Sequence, residues 1–303
     1  MCGFELLGDD IRLRNKKIFI KNMDKLTRAD LAAYERRRII EKAAKHTIQL
    51  YRFNYTEKVD VIEPRPLASG IVVTFKGEYY LVTAKHVFEG EDLTKIGCFV
   101  KGQPELLECD SVCCCGNDVA YTSLSEKIID MLSKGKITPY ILEESIGINL
   151  IYETNHYMLY GYPASMVKDT ANKEVRSVKA FPFSTKILGK DNVNRKKICL
   201  KSESMFAVDS HKNKLASFST KTPMKQIGPK PGGLSGCGLW QFDVGKFILV
   251  GIMTDYDIPK AVLLGEMINP LIESLNKRSI TGVIDSASSA NGNSFKPIPT
   301  ENT

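Results

Sequence analysis

Two periodicities divide the chain. Between Thr27 and about Lys45 the apolar positions recur at helical spacing. Ala32, Ala33, Ile39, Ile40, Ala43 and Ala44 fall on one stripe, and Glu35 to Arg38 carry charge elsewhere. Thr27-x-x-Asp30 has the form of a capping box at the start of that stripe. From Thr47 the pattern turns strand-like, with short runs of Val, Ile, Phe and Tyr separated by Gly, Asn, Asp and Lys. The clearest expected strands are Ile48–Phe53, Ile71–Phe75, Tyr79–Thr83, Leu106–Val112, Val119–Leu124, Tyr157–Tyr160, Gly238–Phe242 and Phe247–Thr254. Lys76-Gly77-Glu78 reads as a tight hairpin turn between two of them. Helical spacing returns only at about 125–135 and 264–277, the second ending on basic Lys277 and Arg278. Many short strands with few helices indicate an all-β barrel or sandwich rather than a βαβ enzyme. From Gly282 onward the chain is poor in apolar residues and reads as a disordered tail. The expected organisation is an N-terminal segment with a helix (1–46), a β domain (47–278) and a tail (279–303).

Composition narrows this without changing it. With 303 residues, 43% hydrophobic and 25% charged, the chain falls in the ordinary globular range, which excludes collagenous, coiled-coil and mainly disordered proteins. No apolar run approaches the roughly 18–20 residues of a membrane span. The first residues lack a basic stretch followed by an apolar one, so no secretory signal is read. The eight cysteines include three in a row at 113–115, a hazard in an oxidising compartment. A reducing compartment, the cytoplasm, is the expectation. Cys109-x3-Cys113-Cys114-Cys115 lacks the second spaced pair that structural zinc requires, and neighbouring side chains of a strand point to opposite faces. These thiols therefore read as small buried hydrophobes, and neither a metal nor another cofactor is expected.

The formal charge is +7, from 42 Lys+Arg and 35 Asp+Glu. It is uneven: residues 164–231 hold 15 Lys/Arg against five acids, a local +10. Aromatic residues for base stacking are sparse there and no recognition helix is visible, so a solvated face is expected rather than a nucleic-acid surface.

Four histidines carry the candidate chemistry by elimination. His46 ends the first helix, where a cation suits the dipole, and His156 and His211 lie in polar surroundings, so all three read as surface groups. His86 instead lies between an apolar strand and Val87-Phe88, either as a satisfied core histidine or as a placed base. Asp118 opens an apolar strand after a glycine, as a turn residue or as a partner for that base. Pro231-Gly232-Gly233-Leu234-Ser235-Gly236-Cys237-Gly238 sets one hydroxyl among four glycines. It is either a turn between strands or a backbone free to aim its amides at one spot beside a serine. No histidine follows Ser235, so the α/β-hydrolase order is excluded, and a subtilisin order would need an α/β chain. The order His86, Asp118, Ser235 in a β-rich chain remains.

Several blocks then align with one family. Ala68-Ser69-Gly70-Ile71-Val72-Val73 and Tyr80-Leu81-Val82-Thr83-Ala84-Lys85-His86-Val87 resemble the first two sequence blocks of trypsin-like, chymotrypsin-fold serine peptidases. Asn117-Asp118-Val119-Ala120, Gly233-Leu234-Ser235-Gly236, the Gly161-Tyr162-Pro163 turn and Leu249-Val250-Gly251-Ile252 are similar to later blocks, in the same order, over about residues 47–278. The resemblance implies two β-barrels of the six-stranded type with a C-terminal helix and the site between the barrels. It implies His86 as general base, Asp118 as its orienting partner, Ser235 as nucleophile, and the Gly233 and Ser235 amides as oxyanion hole. It also places Pro229, Met253 and Thr254 at the substrate cleft. A protein substrate follows, and an activating protein partner is suggested. A protease-fold binding module and an esterase are the alternatives. Leu234 stands where secreted relatives carry the acid that pairs with a newly cut N-terminus, and Pro229 where trypsin carries its specificity acid. Neither that activation route nor cleavage after Lys or Arg is implied.

Overall fold

The computed structural model describes residues 28–55, 62–109, 111–147, 157–163, 180–209, 232–243, 246–257, 259–260 and 262–278. The expected tail lies outside them, as do His156, His211, Pro229 and most of the basic 164–231 stretch. The chain divides into two compact units after Lys42. Helix α1, Arg28–His46, supplies the described part of the first unit and crosses into the second over its last four residues. Its exposed face carries an Arg37–Glu41 ion pair one turn apart, at 3.1 Å.

The second unit is mostly β, in two antiparallel sheets with few helices. The first sheet contains β1 (Thr47–Tyr55), β2 (Ile62–Phe75), β3 (Glu78–Ala84), β4 (Ile96–Val100), β5 (Gln103–Leu106), β6 (Cys113–Cys115) and β7 (Val119–Leu124). They are ordered β5-β4-β1-β2-β3-β7-β6. A two-residue strand β8 (Tyr140–Ile141) adds a parallel pairing to β2. Helix α2 (Glu126–Lys134), capped by Ser125, follows β7. The second sheet contains β9 (Tyr157–Gly161), β10 (Phe181–Thr185), β11 (Met205–Asp209), β12 (Gly238–Asp243), β13 (Lys246–Asp257) and β14 (Val262–Met267), in the order β10-β9-β12-β13-β14-β11. A short helix α3 (Lys190–Arg195) precedes β11, and helix α4 covers 269–278.

The β2–β3 hairpin shows how local chemistry sets register. Lys76 (φ 50°) and Gly77 (φ 83°) both adopt positive φ, the requirement of a two-residue primed turn, and pair Phe75 with Glu78. β3 and β7 are buried over almost their whole length, which explains their near-continuous apolar sequence. Leu50, Val72, Leu81, Leu107 and Ala120 pack the core beside the first sheet. Leu159, Phe183, Phe206, Leu239 and Val250 pack that of the second. Burial of each large side chain is worth about 1.5–3 kcal/mol.

Two long strands change partners along their length. β2 pairs with β1 from Ile62 to Ile71 and with β3 from Ile71 to Phe75. β13 pairs with β12 from Lys246 to Ile252, and with β14 from Gly251 to Asp257 past an irregularity at Thr254. At each handover a stretch of backbone is left to bond something else, and both stretches border the site described below.

Three expectations need correction. Leu106–Val112 is not a strand: pairing ends at Leu106 and the segment after it leads to β6. The helix expected from 264 begins only at 269, because Val262–Met267 pair with β13 and β11. The thiols are not uniformly buried: Cys98, Cys109, Cys115 and Cys237 are, Cys113 is half-buried, and Cys114 and Cys199 are exposed.

Candidate active site

His86 lies where β3 ends. The β3–β7 pairing finishes at Ala84↔Val119, so the next residues of the two strands, Lys85 and Asp118, face each other, and the Lys85 N–H donates to the Asp118 carbonyl at 3.0 Å. A 3₁₀ turn, Lys85–Val87, anchored by buried Val87 and Phe88, then presents the imidazole. The His86 N–H donates to Asp118 Oδ1 at 3.0 Å, and Nδ1 lies 2.8 Å from Asp118 Oδ2. A carboxylate only accepts, so Nδ1 carries the proton and the neutral ring keeps its lone pair on Nε2. The hydrogen bond to Asp118 holds the His86 pKa above the ordinary imidazole value; burial opposes it, and the charges of Asp118, Asp255 and Glu89 reinforce it.

Asp118 is fixed from behind. The N–H groups of Asn117 and Asp118 both donate to Glu266 Oε1, at 2.7 and 2.8 Å. The Asn117 amide side chain donates to Ser202 Oγ at 2.9 Å. Glu266 comes from β14 in the other sheet and is fully buried. Gly116 (φ 62°) lets the chain pass over that carboxylate: a Cβ there would lie 1.8 Å from Glu266 Oε2.

Ser235 sits in the turn before β12. Gly233 (φ 90°) and Gly236 (φ 80°) reverse the chain on either side, and a Cβ on Gly236 would lie 2.0 Å from Thr83 Oγ1 and 2.2 Å from the Ser69 carbonyl. Leu234 and Cys237 drop into the core, 1% and 0% exposed. The Gly236 N–H donates to the Met253 carbonyl at 2.7 Å. The turn is then stitched to the first sheet through Ser69, at the handover in β2. The Ser69 N–H donates to the Ser235 carbonyl at 2.9 Å, and Ser69 Oγ donates to the Gly233 carbonyl at 3.0 Å. Ser69 Oγ also accepts from Tyr162 N–H at 2.9 Å, and its carbonyl accepts from Thr83 Oγ1 at 2.8 Å. Thr83 is three residues before His86, so the serine turn and the histidine turn rest on the same strand end.

Ser235 Oγ is half-buried and faces the Thr254 carbonyl at 3.5 Å, a long contact. Among the described residues no hydrogen bond joins it to His86, and none occupies the Gly233 or Ser235 amide. Met253 bonds the serine turn through its backbone, and its side chain lies in the same core cluster as Leu234 and Cys237. Thr254 likewise offers its carbonyl. Pro229 lies outside the described residues. His46 is more than a surface group: it is half-buried, its Nδ1 lies 2.7 Å from the Thr138 carbonyl, and its ring packs near Tyr140 and Trp240. Among the described residues no cluster of three or more His, Cys, Asp or Glu could hold a metal ion.

No protein-family model matches this sequence, and no curated protein matches it.

Two contributors lie outside the residues singled out from the sequence: Ser69, quoted there only within the block Ala68–Val73, and Glu266. Glu266 had one available signal: it is the single carboxylate in the apolar run Val262–Ile268. A charge in such a run is rarely buried unless something pairs with it.

Proposed function

We propose that the chain is a serine endopeptidase of the trypsin-like, chymotrypsin-fold kind, cutting peptide bonds of a protein substrate in the cytoplasm. The observation that carries this reading is the doubly bonded His86–Asp118 pair beside a serine turn tied to the same strand end. Asp118 holds the imidazole in the tautomer that can accept a proton at Nε2. His86 then serves as base for Ser235, a weak nucleophile at its free pKa. Ser235 Oγ attacks the scissile carbonyl, His86 passes the proton to the leaving amine, and water hydrolyses the acyl-enzyme by the reverse use of the same base. The Gly233 and Ser235 amides, with no described acceptor, are available to the oxyanion. The backbone of β13 from Asp255 to Asp257, paired among the described residues only with β14, supports an extended substrate lying along it. Two barrels, implied by the sequence resemblance, fit a pair of antiparallel sheets in which long strands switch partners. No described helix is long and apolar enough to cross a membrane.

One observation favours a second reading, a protease-fold module that binds without cutting: Ser235 Oγ is turned to Thr254 rather than to His86. Catalytic hydrogen bonds are often long before substrate arrives, so the hydrolase reading accommodates it. Fluorophosphonate labelling of the purified chain, with Ser235→Ala as control, separates the two. Rapid labelling lost in the variant supports a hydrolase; no labelling above the variant supports the binding module. Turnover of peptides against simple esters then distinguishes peptidase from esterase.

A further inference from the structure

We propose that Glu266 is a positioning residue for the His86–Asp118 pair: its buried Oε1 takes both the Asn117 and Asp118 amides and so fixes where the Asp118 carboxylate sits against the imidazole.

The geometry leaves Asp118 little other freedom. Its carbonyl is taken by Lys85 N–H, and its two carboxylate oxygens by His86 N–H and Nδ1. The remaining polar group, its own N–H, goes to Glu266 at 2.8 Å. The Asn117 side chain is held by Ser202, which is bonded in turn to Ser204, and the Ser204 carbonyl accepts from the N–H of Met267, the neighbour of Glu266. The turn carrying Asp118 belongs to the first sheet, yet everything that grips it from behind belongs to the 202–204 and 266–267 segments beside the second. A carboxylate here is expensive to bury, and its Oε2 has no hydrogen-bond partner among the described residues. Packing alone would be served better by an apolar residue of this length. What an apolar residue cannot do is accept two adjacent amides at once. Gly116 keeps the approach open at the point where any side chain would strike Oε2.

The effect on rate rests on the hydrolase reading; the effect on His86 does not. The groups facing His86 are Asp118, Asp255 and Glu89, and Cys115 lies close to Glu266. The test uses the full chain with Glu266→Gln, Glu266→Asp and Glu266→Met. Each is followed by thermal unfolding, by NMR titration of the His86 ring and by phosphonate labelling. Gln keeps an acceptor without the charge, so the His86 midpoint should stay near wild type and labelling within about threefold. Met removes the acceptor at similar length. The midpoint should fall toward the ordinary imidazole value of about 6.5, and labelling should slow by roughly 10²-fold, the scale of a 1 Å misplacement. Asp withdraws the acceptor by about one C–C bond, ~1.5 Å, and should move the midpoint in the same direction. A folded Met variant with the wild-type His86 titration overturns the proposal. So does a Gln variant shifted as far as Met, which would make Glu266 a through-space charge only. If Met does not fold, Asp decides: an unmoved midpoint overturns the proposal and a lowered one supports it. A wild-type chain that never labels, but whose His86 responds to these variants, refutes the hydrolase reading and leaves the positioning role standing.

Discussion

The Ser69 N–H donates to the Ser235 carbonyl at 2.9 Å, across 166 positions of sequence and from one sheet to the turn of the other. The same residue holds the Gly233 carbonyl and the Tyr162 amide through its hydroxyl. One small, fully buried side chain thus sets the conformation of the turn on which Ser235 and its neighbouring amides depend. Ser69→Ala should lower stability by about 1–3 kcal/mol, because the Tyr162 N–H and the Gly233 carbonyl lose their partner. Denaturant melts give the first number. Phosphonate labelling of the still-folded variant should be slower than wild type, and an unchanged rate would show that the turn holds its shape without the clamp.

Ser235→Ala and His86→Ala should each reduce hydrolysis by roughly 10⁴–10⁶ in kcat, as members of a unit do, while leaving the melting temperature near wild type. Both side chains are partly exposed and neither packs the core. Turnover on a broad peptide library, with circular dichroism melts of the same samples, checks both halves.

The raised His86 pKa fixes the sign of two pH effects. The ring works as a base only when neutral, so acylation should rise with pH through a midpoint above about 6.5 and be lost below it. Stability runs the other way: the pair's contribution is complete below the unfolded value and is lost as pH rises through the folded one. Asp118→Asn removes the largest cause of the shift, so the kinetic midpoint should move down while the rate falls by about 10⁴. A pH–rate profile of labelling for both proteins reads this directly.

Cys237, two residues after Ser235, should play no chemical part. It is fully buried, and burial pushes its thiol pKa up, so little thiolate forms. Iodoacetamide on the native chain should modify exposed Cys114 and Cys199, spare Cys237 and leave labelling of Ser235 intact. Peptide mass mapping after alkylation identifies the sites; activity lost together with Cys237 modification would exchange the roles.

Leu234 lies 1% exposed in the core beside the second sheet; under the proposed peptidase reading it stands where secreted trypsin-like enzymes use an acid to capture a new N-terminus. An unpaired ammonium buried against it would cost several kcal/mol. The 303-residue chain should therefore label without prior trimming. Intact mass of the phosphonate adduct gives the answer, and adduct found only on a shortened form would refute it.

What could be read in advance follows from the range of the interactions. β3 and β7 are dense runs of β-branched and aromatic residues, and Lys76-Gly77 has the turn chemistry of a hairpin, so local sequence identifies them. β5 carries Pro104 and Glu105 and β6 is three cysteines, compositions without strand character that are paired only because β4 and β7 lie alongside. β14 runs almost directly into α4, and the helical spacing read from 264 overruns the boundary that Asn269-Pro270, at the start of α4, marks in the sequence. His86 stands out because the chain has only four histidines, and Asp118 and Ser235 through their neighbours. The contacts of Ser69 and Glu266 are not legible in this way, because their partners lie 164 and 149 residues away; the lone charge in Val262–Ile268 is the one local hint, and it does not name its partner.

The Glu266 contacts also bear on timing during synthesis. The chain emerges from its N-terminus, so His86 and Asp118 appear early, but the carboxylate that takes the Asp118 amide lies 148 residues further on. At about 5–20 residues per second the ribosome needs roughly 7–30 s to cover that distance. Through that interval the Asn117–Asp118 turn lacks its anchor, and the residues of the serine turn are made only in its last part, shortly before Glu266. The back anchor of the Asp118 turn is in place only once β14, among the last described segments to be made, has been synthesised and has paired with β13.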